Sequence, residues 1–222
     1  MFFHGGGWKN GHPSAFYRQS AHLASRGMVA ISAEYRLQNK HGTTPAESVK
    51  DAKSAMRYVR SHATELGIDQ NMLAAGGGSA GGHIAAATGT VKGFNNDGDD
   101  LGVSERPDAL VLFNPVYDNG PEGYGHARVK DYWQDISPLH NLDESAPPTV
   151  VFLGTEDKLI PVETARFFQA TMEENGVRSD LHLYEGQPHA FFNKARYTET
   201  LLEADRFLTS LGYLDEAIEV KP

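Results

Sequence analysis

The sequence predicts one α/β domain over residues 1–222, built on a mainly parallel sheet flanked by helices, and three observations carry that expectation. A chain of 222 residues suits one large core rather than two enzyme domains side by side. Short β-rich apolar segments alternate with longer amphipathic ones, the rhythm of strands joined by helices. Several of those strands are apolar on both faces, a pattern that belongs inside a sheet covered on both sides.

Taken in order, the first strand is Met1 to Phe3, and an amphipathic helix follows over Ser14 to Arg26. The apolar run Met28 to Glu34 is the second strand. A long helix spans Pro45 to Leu66, with its proline where a first helical turn tolerates the missing N–H. The strand Met72 to Gly76 leads into an Ala-rich helix, Ala80 to Thr90. Three more strands, Ala109 to Asn114, Thr149 to Gly154 and Asp180 to Tyr184, alternate with helices over Pro161 to Asn175 and Thr198 to Leu211. Two stretches break the rhythm. Lys92 to Pro107 is rich in Asn, Asp and Gly, and Val116 to Ala146 is mixed polar and aromatic. Loops this long in a small domain tend to be functional, so 116–146 is expected to form a small cap or lid over a pocket.

Composition removes several function classes. The 20 Lys and Arg stand against 29 Asp and Glu, a net charge of −9, opposite in sign to what binding to nucleic-acid phosphates requires. There is no cysteine, which excludes disulfide scaffolds, thiolate metal sites and cysteine nucleophiles. No apolar run approaches the roughly 18 to 20 residues of a membrane span, and the start does not resemble an export signal. The expectation is a cytoplasmic protein without a membrane span. The acidic run Asn95 to Asp100 misses the spacing of a calcium loop: from Asn95, glycine falls fourth and Arg106 twelfth. It reads as an acidic solvated turn, and no metal site is expected.

Gly77-Gly78-Ser79-Ala80-Gly81 lies directly between an apolar strand and the Ala-rich helix, which is G-x-S-x-G in the setting that gives it meaning. A sharp strand-to-helix turn needs small flanking residues, and it lifts the Ser79 hydroxyl clear of the sheet. Phosphate-binding glycine loops have a different spacing. The run His4-Gly5-Gly6-Gly7-Trp8 follows the first strand and leaves backbone N–H groups unshielded, suited to an oxyanion. The amides of Gly6, Gly7 and Ala80 are the expected donors, with His4 bracing the loop. A serine needs a base and the base an orienting carboxylate. Asp157 follows the fifth strand, with Glu156 as competitor, and His189 follows the sixth in a Gly- and Pro-containing turn. His83, one helical turn after Ser79, reads as a packing residue. Trp8, Gly78, Tyr117 and Trp133, with Tyr124 and Tyr132, are candidate walls of the substrate pocket.

These motifs resemble those of the α/β-hydrolase carboxylesterases, of the hormone-sensitive-lipase-like and acetyl-esterase or feruloyl-esterase-like branches. The matching segments are His4 to Trp8, Glu34 to Leu37, Gly77 to Gly82, Gly154 to Asp157 and Gly186 to His189. The resemblance implies an α/β-hydrolase fold, with Ser79 as nucleophile, His189 as general base and acid, Asp157 as its orienter, and hydrolysis of short-chain carboxylic esters without a cofactor. The Tyr35-Arg36-Leu37 segment is family-like and reads as structural. Members usually carry strands before the glycine loop that this sequence lacks, so the expectation is a minimal version truncated at its N-terminal edge, either a truncated gene product or a minimal sheet with an exposed edge. The exposed edge predicts a homodimer or higher homo-oligomer. Two other readings stay open. One is a peptidase of the prolyl-oligopeptidase type, though its accessory propeller is absent from this sequence. The other is a hydrolase-fold binding protein that has lost catalysis, though all three triad residues are retained.

Overall fold

In the computed structural model, which describes residues 1–215, six parallel strands form one sheet in the order β2-β1-β3-β4-β5-β6. They are β1 (Phe2–Phe3), β2 (Ser32–Ala33), β3 (Ala74–Gly78), β4 (Ala109–Phe113), β5 (Thr149–Gly154) and β6 (Ser179–Tyr184). The helices are α1 (Tyr17–Ser25), α2 (Gln38–His41), α3 (Pro45–Ser61), α4 (Ala63–Leu66), α5 (Ala80–Thr90), α6 (His126–Val129), α7 (Trp133–Ile136), α8 (Val162–Glu174) and α9 (Tyr197–Ser210). This is the α/β architecture the sequence predicts. Among the described residues no helix is long and apolar enough to cross a membrane.

Alternation along the central strands explains the two apolar layers. Leu110, Leu112, Val151 and Leu153 face a core shared with α3, α5 and α8. Ala109, Val111, Phe113, Val150 and Phe152 face the opposite layer, made by Leu23 of α1 and by Ala204, Phe207 and Leu208 of α9. Helix α3 buries Val49, Ala52, Met56 and Val59 at helical spacing. It starts at a capping box in which Thr44 N–H donates to Glu47 and the Thr44 hydroxyl accepts from the Ala46 amide. Helix α5 is buried on all sides.

Several boundaries differ from the sequence reading, each for a physical reason. The strand expected over 28–34 pairs only at Ser32–Ala33, because its one neighbour, β1, is two residues long and a ladder extends no further than its partner. The strand expected over 72–76 shifts to 74–78: the ladder to β4 pairs Gly77 with Leu112 and Gly78 with Phe113, so tertiary pairing overrides the poor strand propensity of glycine. The helix expected over 45–66 breaks at His62, whose ring bonds back to the Tyr58 carbonyl, and α4 ends at Gly67 with φ 68°.

The run 95–100 is not a freely solvated turn. Asp99 is paired with Arg57 at 2.9 Å, and Asn95 and Asn96 accept from Arg57 and Arg36. The buried Lys53 ammonium completes this anchor, donating to the carbonyls of Val91 and Gly93. Segment 116–146 carries α6 and α7 and a 3-10 turn, Pro138–Asn141, and buries Tyr117, Val129, Ile136 and Leu139 in the larger core.

Candidate active site

Every expected chemical residue lies beyond the carboxyl end of a parallel strand, where side chains far apart in sequence converge. Ser79 follows β3 in a left-handed backbone conformation, φ 56° and ψ −121°. That turn is clamped: Ser79 N–H donates to the Phe113 carbonyl at 3.0 Å, and the Ser79 carbonyl accepts from His83 and Val116. A Cβ at position 77 would sit 2.5 Å from backbone oxygens of Gly81 and Phe3, and one at 81 would sit 2.1 Å from Phe3 O. Both flanking glycines are thus required by close approach, which is the reason the sequence pattern has them.

His189 Nε2 lies 3.0 Å from Ser79 Oγ, and His189 Nδ1 lies 2.6 Å from Asp157 Oδ2. The Asp157 carboxylate is fully buried, and its other oxygen accepts from the amides of Leu159 and Ile160 at 2.8 and 3.0 Å. Those bonds fix the carboxylate plane toward the imidazole. The competitor Glu156 is exposed.

The glycine loop turns sharply after β1. Gly6 has φ 117°, and a Cβ there would lie 2.0 Å from Asn10 O, so only glycine fits. Among the described residues no group accepts a hydrogen bond from the amides of Gly6, Gly7 or Ala80. His4 braces the loop through one ring nitrogen, Nδ1–H to Gly5 O at 2.8 Å, while Tyr35 stacks on its ring and donates to His4 O at 2.6 Å. Burial lowers the His4 pKa below its ordinary value.

A cavity of about 450 Å³ opens over Ser79 and His189. The structure brings Gly78 to its wall, with Phe16, Tyr124, Leu159 and Phe192. It places three other expected wall residues elsewhere. Trp8 is 1% exposed, its indole N–H donating to His83 Nδ1 at 3.3 Å, so it ties the glycine loop to α5. Tyr117 is fully buried and stacks on Phe168 at 4.7 Å, with burial raising its pKa well above the ordinary value. Trp133 packs edge-on against His140, outside the cavity. Trp8 and Tyr117 bury their rings in the core, whereas Trp133 stays half-buried against it. Tyr132 packs against Phe94.

His83 is a packing residue with a specific role. Its Nε2–H donates to the Ile136 carbonyl at 3.1 Å while Nδ1 accepts from Trp8, and burial lowers its pKa to about 4. Among the cavity residues that sequence reasoning missed, two have polar contacts close to the proposed chemistry. Asn114 follows β4 with φ 35°; its Oδ1 accepts from Ala190 N at 3.0 Å and its Nδ2 lies 3.4 Å from His189 Nε2. Asparagine at a strand end, where positive φ is tolerated, was the available signal. Arg128 lies beside the glycine loop and donates to the Gly7 carbonyl. A lone arginine in a polar stretch gives no such signal.

Comparison with known proteins places these features in a family. The BD-FAE family matches residues 1–113 and the dienelactone hydrolase family matches residues 116–217. Esterase LipC of Mycobacterium tuberculosis is 30% identical over 191 residues, covering 76% of this chain and 46% of its own length. The chain spans about half the length of the curated relatives it matches. Among solved structures, the apo form of Thermogutta terrifontis esterase 2 superposes with a TM-score of 0.92 at 42% identity, covering 96% of this chain and 83% of that one. The propionate-bound form of that esterase superposes with a TM-score of 0.90 at 40% identity, covering 97% and 84%.

Proposed function

The chain belongs to the carboxylesterases of the α/β-hydrolase superfamily, in the hormone-sensitive-lipase-like branch, and on that premise we propose that it hydrolyses short-chain carboxylic esters through a serine acyl-enzyme. Ser79 is the nucleophile, His189 the general base and acid, Asp157 the orienter, and the amides of Gly6, Gly7 and Ala80 the oxyanion hole. The observation that carries this reading is the continuous chain from Ser79 Oγ to His189 to Asp157, at 3.0 and 2.6 Å, beside three amides without an acceptor among the described residues.

The steps follow from that geometry. Asp157 accepts from Nδ1–H, which leaves Nε2 bare to take the Ser79 proton as Oγ attacks the ester carbonyl. Negative charge gathers on the carbonyl oxygen, and preorganised N–H dipoles stabilise it without reorganising at the moment of reaction. His189 passes its proton to the departing alkoxide. Water then enters, gives a proton to the same nitrogen, and attacks the acyl-enzyme; the returning proton frees Ser79 and the acid departs. A cavity of about 450 Å³ with Phe16 and Phe192 in its wall suits a short acyl chain. The structures of Thermogutta terrifontis esterase 2 with propionate and with butyrate bound support the same size class.

The test is a panel of p-nitrophenyl esters of graded acyl length, run on wild type and Ser79→Ala, together with intact mass after a fluorophosphonate. The expected result is preference for short acyl groups, loss of turnover in the variant, and one covalent increment that maps to Ser79. Full esterase activity in Ser79→Ala refutes the assignment of the nucleophile. A folded wild type that neither turns over esters nor takes up the fluorophosphonate refutes the hydrolase reading.

A further inference from the structure

Around the proposed nucleophile this acidic protein reverses its charge. Acids outnumber bases by nine across the chain, yet the cavity over Ser79 has Lys9 and Arg128 in its wall and, among the described residues, neither aspartate nor glutamate. The one carboxylate of the catalytic chain, Asp157, is fully buried and spent on His189 and two amides. Focusing of this kind raises the local concentration of anions.

Arg128 is the informative member. Most arginines described here meet a carboxylate, as Arg26, Arg36, Arg57 and Arg178 do. Arg128 has no carboxylate within 4 Å among the described residues. One N–H donates to the Gly7 carbonyl, and the guanidinium lies over the rings of Trp8 and Tyr124, 5.0 and 5.5 Å from their centres. Those contacts hold the fork in place beside the oxyanion loop and leave most of its five donors unused. The Tyr124 hydroxyl, 3.0 Å from where a Cβ of Gly7 would stand, also has no partner among the described hydrogen bonds. A preorganised guanidinium and a phenol, both facing a cavity free of acidic side chains, match an anionic oxygen pair.

We propose that Arg128, with Lys9 and Tyr124, forms a carboxylate subsite, so that the preferred substrates are esters carrying a second, ionised carboxyl group. This rests on the hydrolase reading for turnover, though the anion site itself does not need the chemistry. The free carboxylate can reside on the acyl or on the alcohol side, and matched pairs of esters tell them apart. Monoethyl glutarate against ethyl valerate tests the acyl side, and 4-acetoxybenzoate against 4-methylphenyl acetate tests the alcohol side.

For one pair the anionic member is expected to exceed its neutral partner in kcat/KM by about tenfold to a hundredfold, the range a charge-assisted hydrogen bond supplies. Added salt lowers that ratio. Arg128→Met, which keeps an apolar side chain of similar length without the charge, brings the ratio close to one, and Arg128→Lys restores part of it. Because Arg128 also holds Gly7, the ratio is the readout rather than the absolute rate. Lys9→Met, at an exposed position, lowers the ratio by a smaller factor. Ratios at or below one for both pairs in wild type, or a ratio unmoved in Arg128→Met, overturn the proposal. Calorimetric titration of Ser79→Ala with monoethyl glutarate, with and without Arg128→Met, reads the subsite in the absence of turnover. Arg128-dependent binding with no hydrolysis by wild type sinks the hydrolase reading and spares the subsite. Turnover of neutral esters with no Arg128-dependent binding or preference does the reverse.

Discussion

Protonation of His83 is expected to unlock the loop that carries the oxyanion amides, and its cost follows from the hydrogen bonds. The Ile136 carbonyl can only accept, so Nε2 carries the ring proton; the Trp8 indole N–H can only donate, so Nδ1 is bare. A second proton on Nδ1 would face the indole N–H donor to donor, in a fully buried position. Burial lowers the His83 pKa from 6.5 to about 4. The unfolded chain therefore takes up the proton first as pH falls, and stability is lost between 6.5 and 4. At about 1.4 kcal/mol per pH unit the loss from this residue is about 2 kcal/mol by pH 5 and about 3 kcal/mol by pH 4.

Urea unfolding of wild type and His83→Gln at pH 7, 6, 5 and 4.5 isolates this contribution, because the carboxylates and His4 titrate in both proteins and cancel in the difference. At pH 7 the variant is expected to be less stable by about 2 to 4 kcal/mol, since two buried hydrogen-bonding groups lose their partner. The gap then narrows as pH falls, by about 2 kcal/mol at pH 5. A gap that stays constant or widens between pH 7 and pH 5 refutes the reasoning, and with it the forced tautomer.

Three further substitutions probe separate parts of the structure. Gly6→Ala places a methyl 2.0 Å from Asn10 O and displaces a proposed oxyanion donor, so steady-state kinetics should show kcat falling by about a hundredfold or more while KM changes little. Asp157→Asn must keep its carbonyl oxygen toward the amides of Leu159 and Ile160, which turns its NH₂ toward Nδ1 and drives the ring proton onto Nε2. That is the wrong tautomer for a base, and kcat should fall on the order of ten-thousandfold with the melting temperature little changed. Arg57→Met leaves Asp99 and Glu105 short of a partner; urea midpoints should report a loss of about 3 to 5 kcal/mol, and amide exchange should rise in residues 92–107. Turnover per folded molecule should stay at the wild-type level.

What could be read from the sequence was whatever a local rule determines. Small residues beside Ser79 are demanded by backbone atoms 2.1 to 2.5 Å from where a Cβ would stand, so the motif announces the turn wherever it occurs between a strand and a helix. Helix α3 declares itself through Pro45 and the spacing of its buried side chains. The extent of β2 was not legible, because it is set by the length of β1 across the ladder. Nor was the position of β3, whose glycines are held in the sheet by β4. Pocket walls were the least legible part. Hydropathy says that Trp8 and Tyr117 leave water, and it says nothing about whether they face a cavity or the core; both went to the core, while Tyr124 lines the cavity. The Asp99 carboxylate illustrates the converse, a charge that reads as solvated and is held by an arginine 42 residues away.

The two halves of the candidate site store strain, and both are held by the core rather than by each other. Ser79 at φ 56° and Trp8 at φ 58° are non-glycine residues in the left-handed region, where the conformation costs of order 1 to 3 kcal/mol each and persists only under restraint. At Ser79 the restraint is three backbone hydrogen bonds, to Phe113, His83 and Val116. At Trp8 it is the buried indole, hydrogen-bonded to a histidine on the helix that Ser79 begins. Helix α5 therefore sets both positions at once: it begins at Ala80, directly after Ser79, and its fourth residue, His83, anchors the glycine loop through Trp8. A change that tilts α5, such as a larger residue at Gly82 against Pro115, is expected to move Ser79 and the glycine loop as one body. Asp157 and His189 follow β5 and β6 instead, so the separation sensitive to packing is the one between Ser79 Oγ and His189 Nε2. Asn114, bonded to the amide after His189 and placed at the end of β4 between the two groups, bridges them.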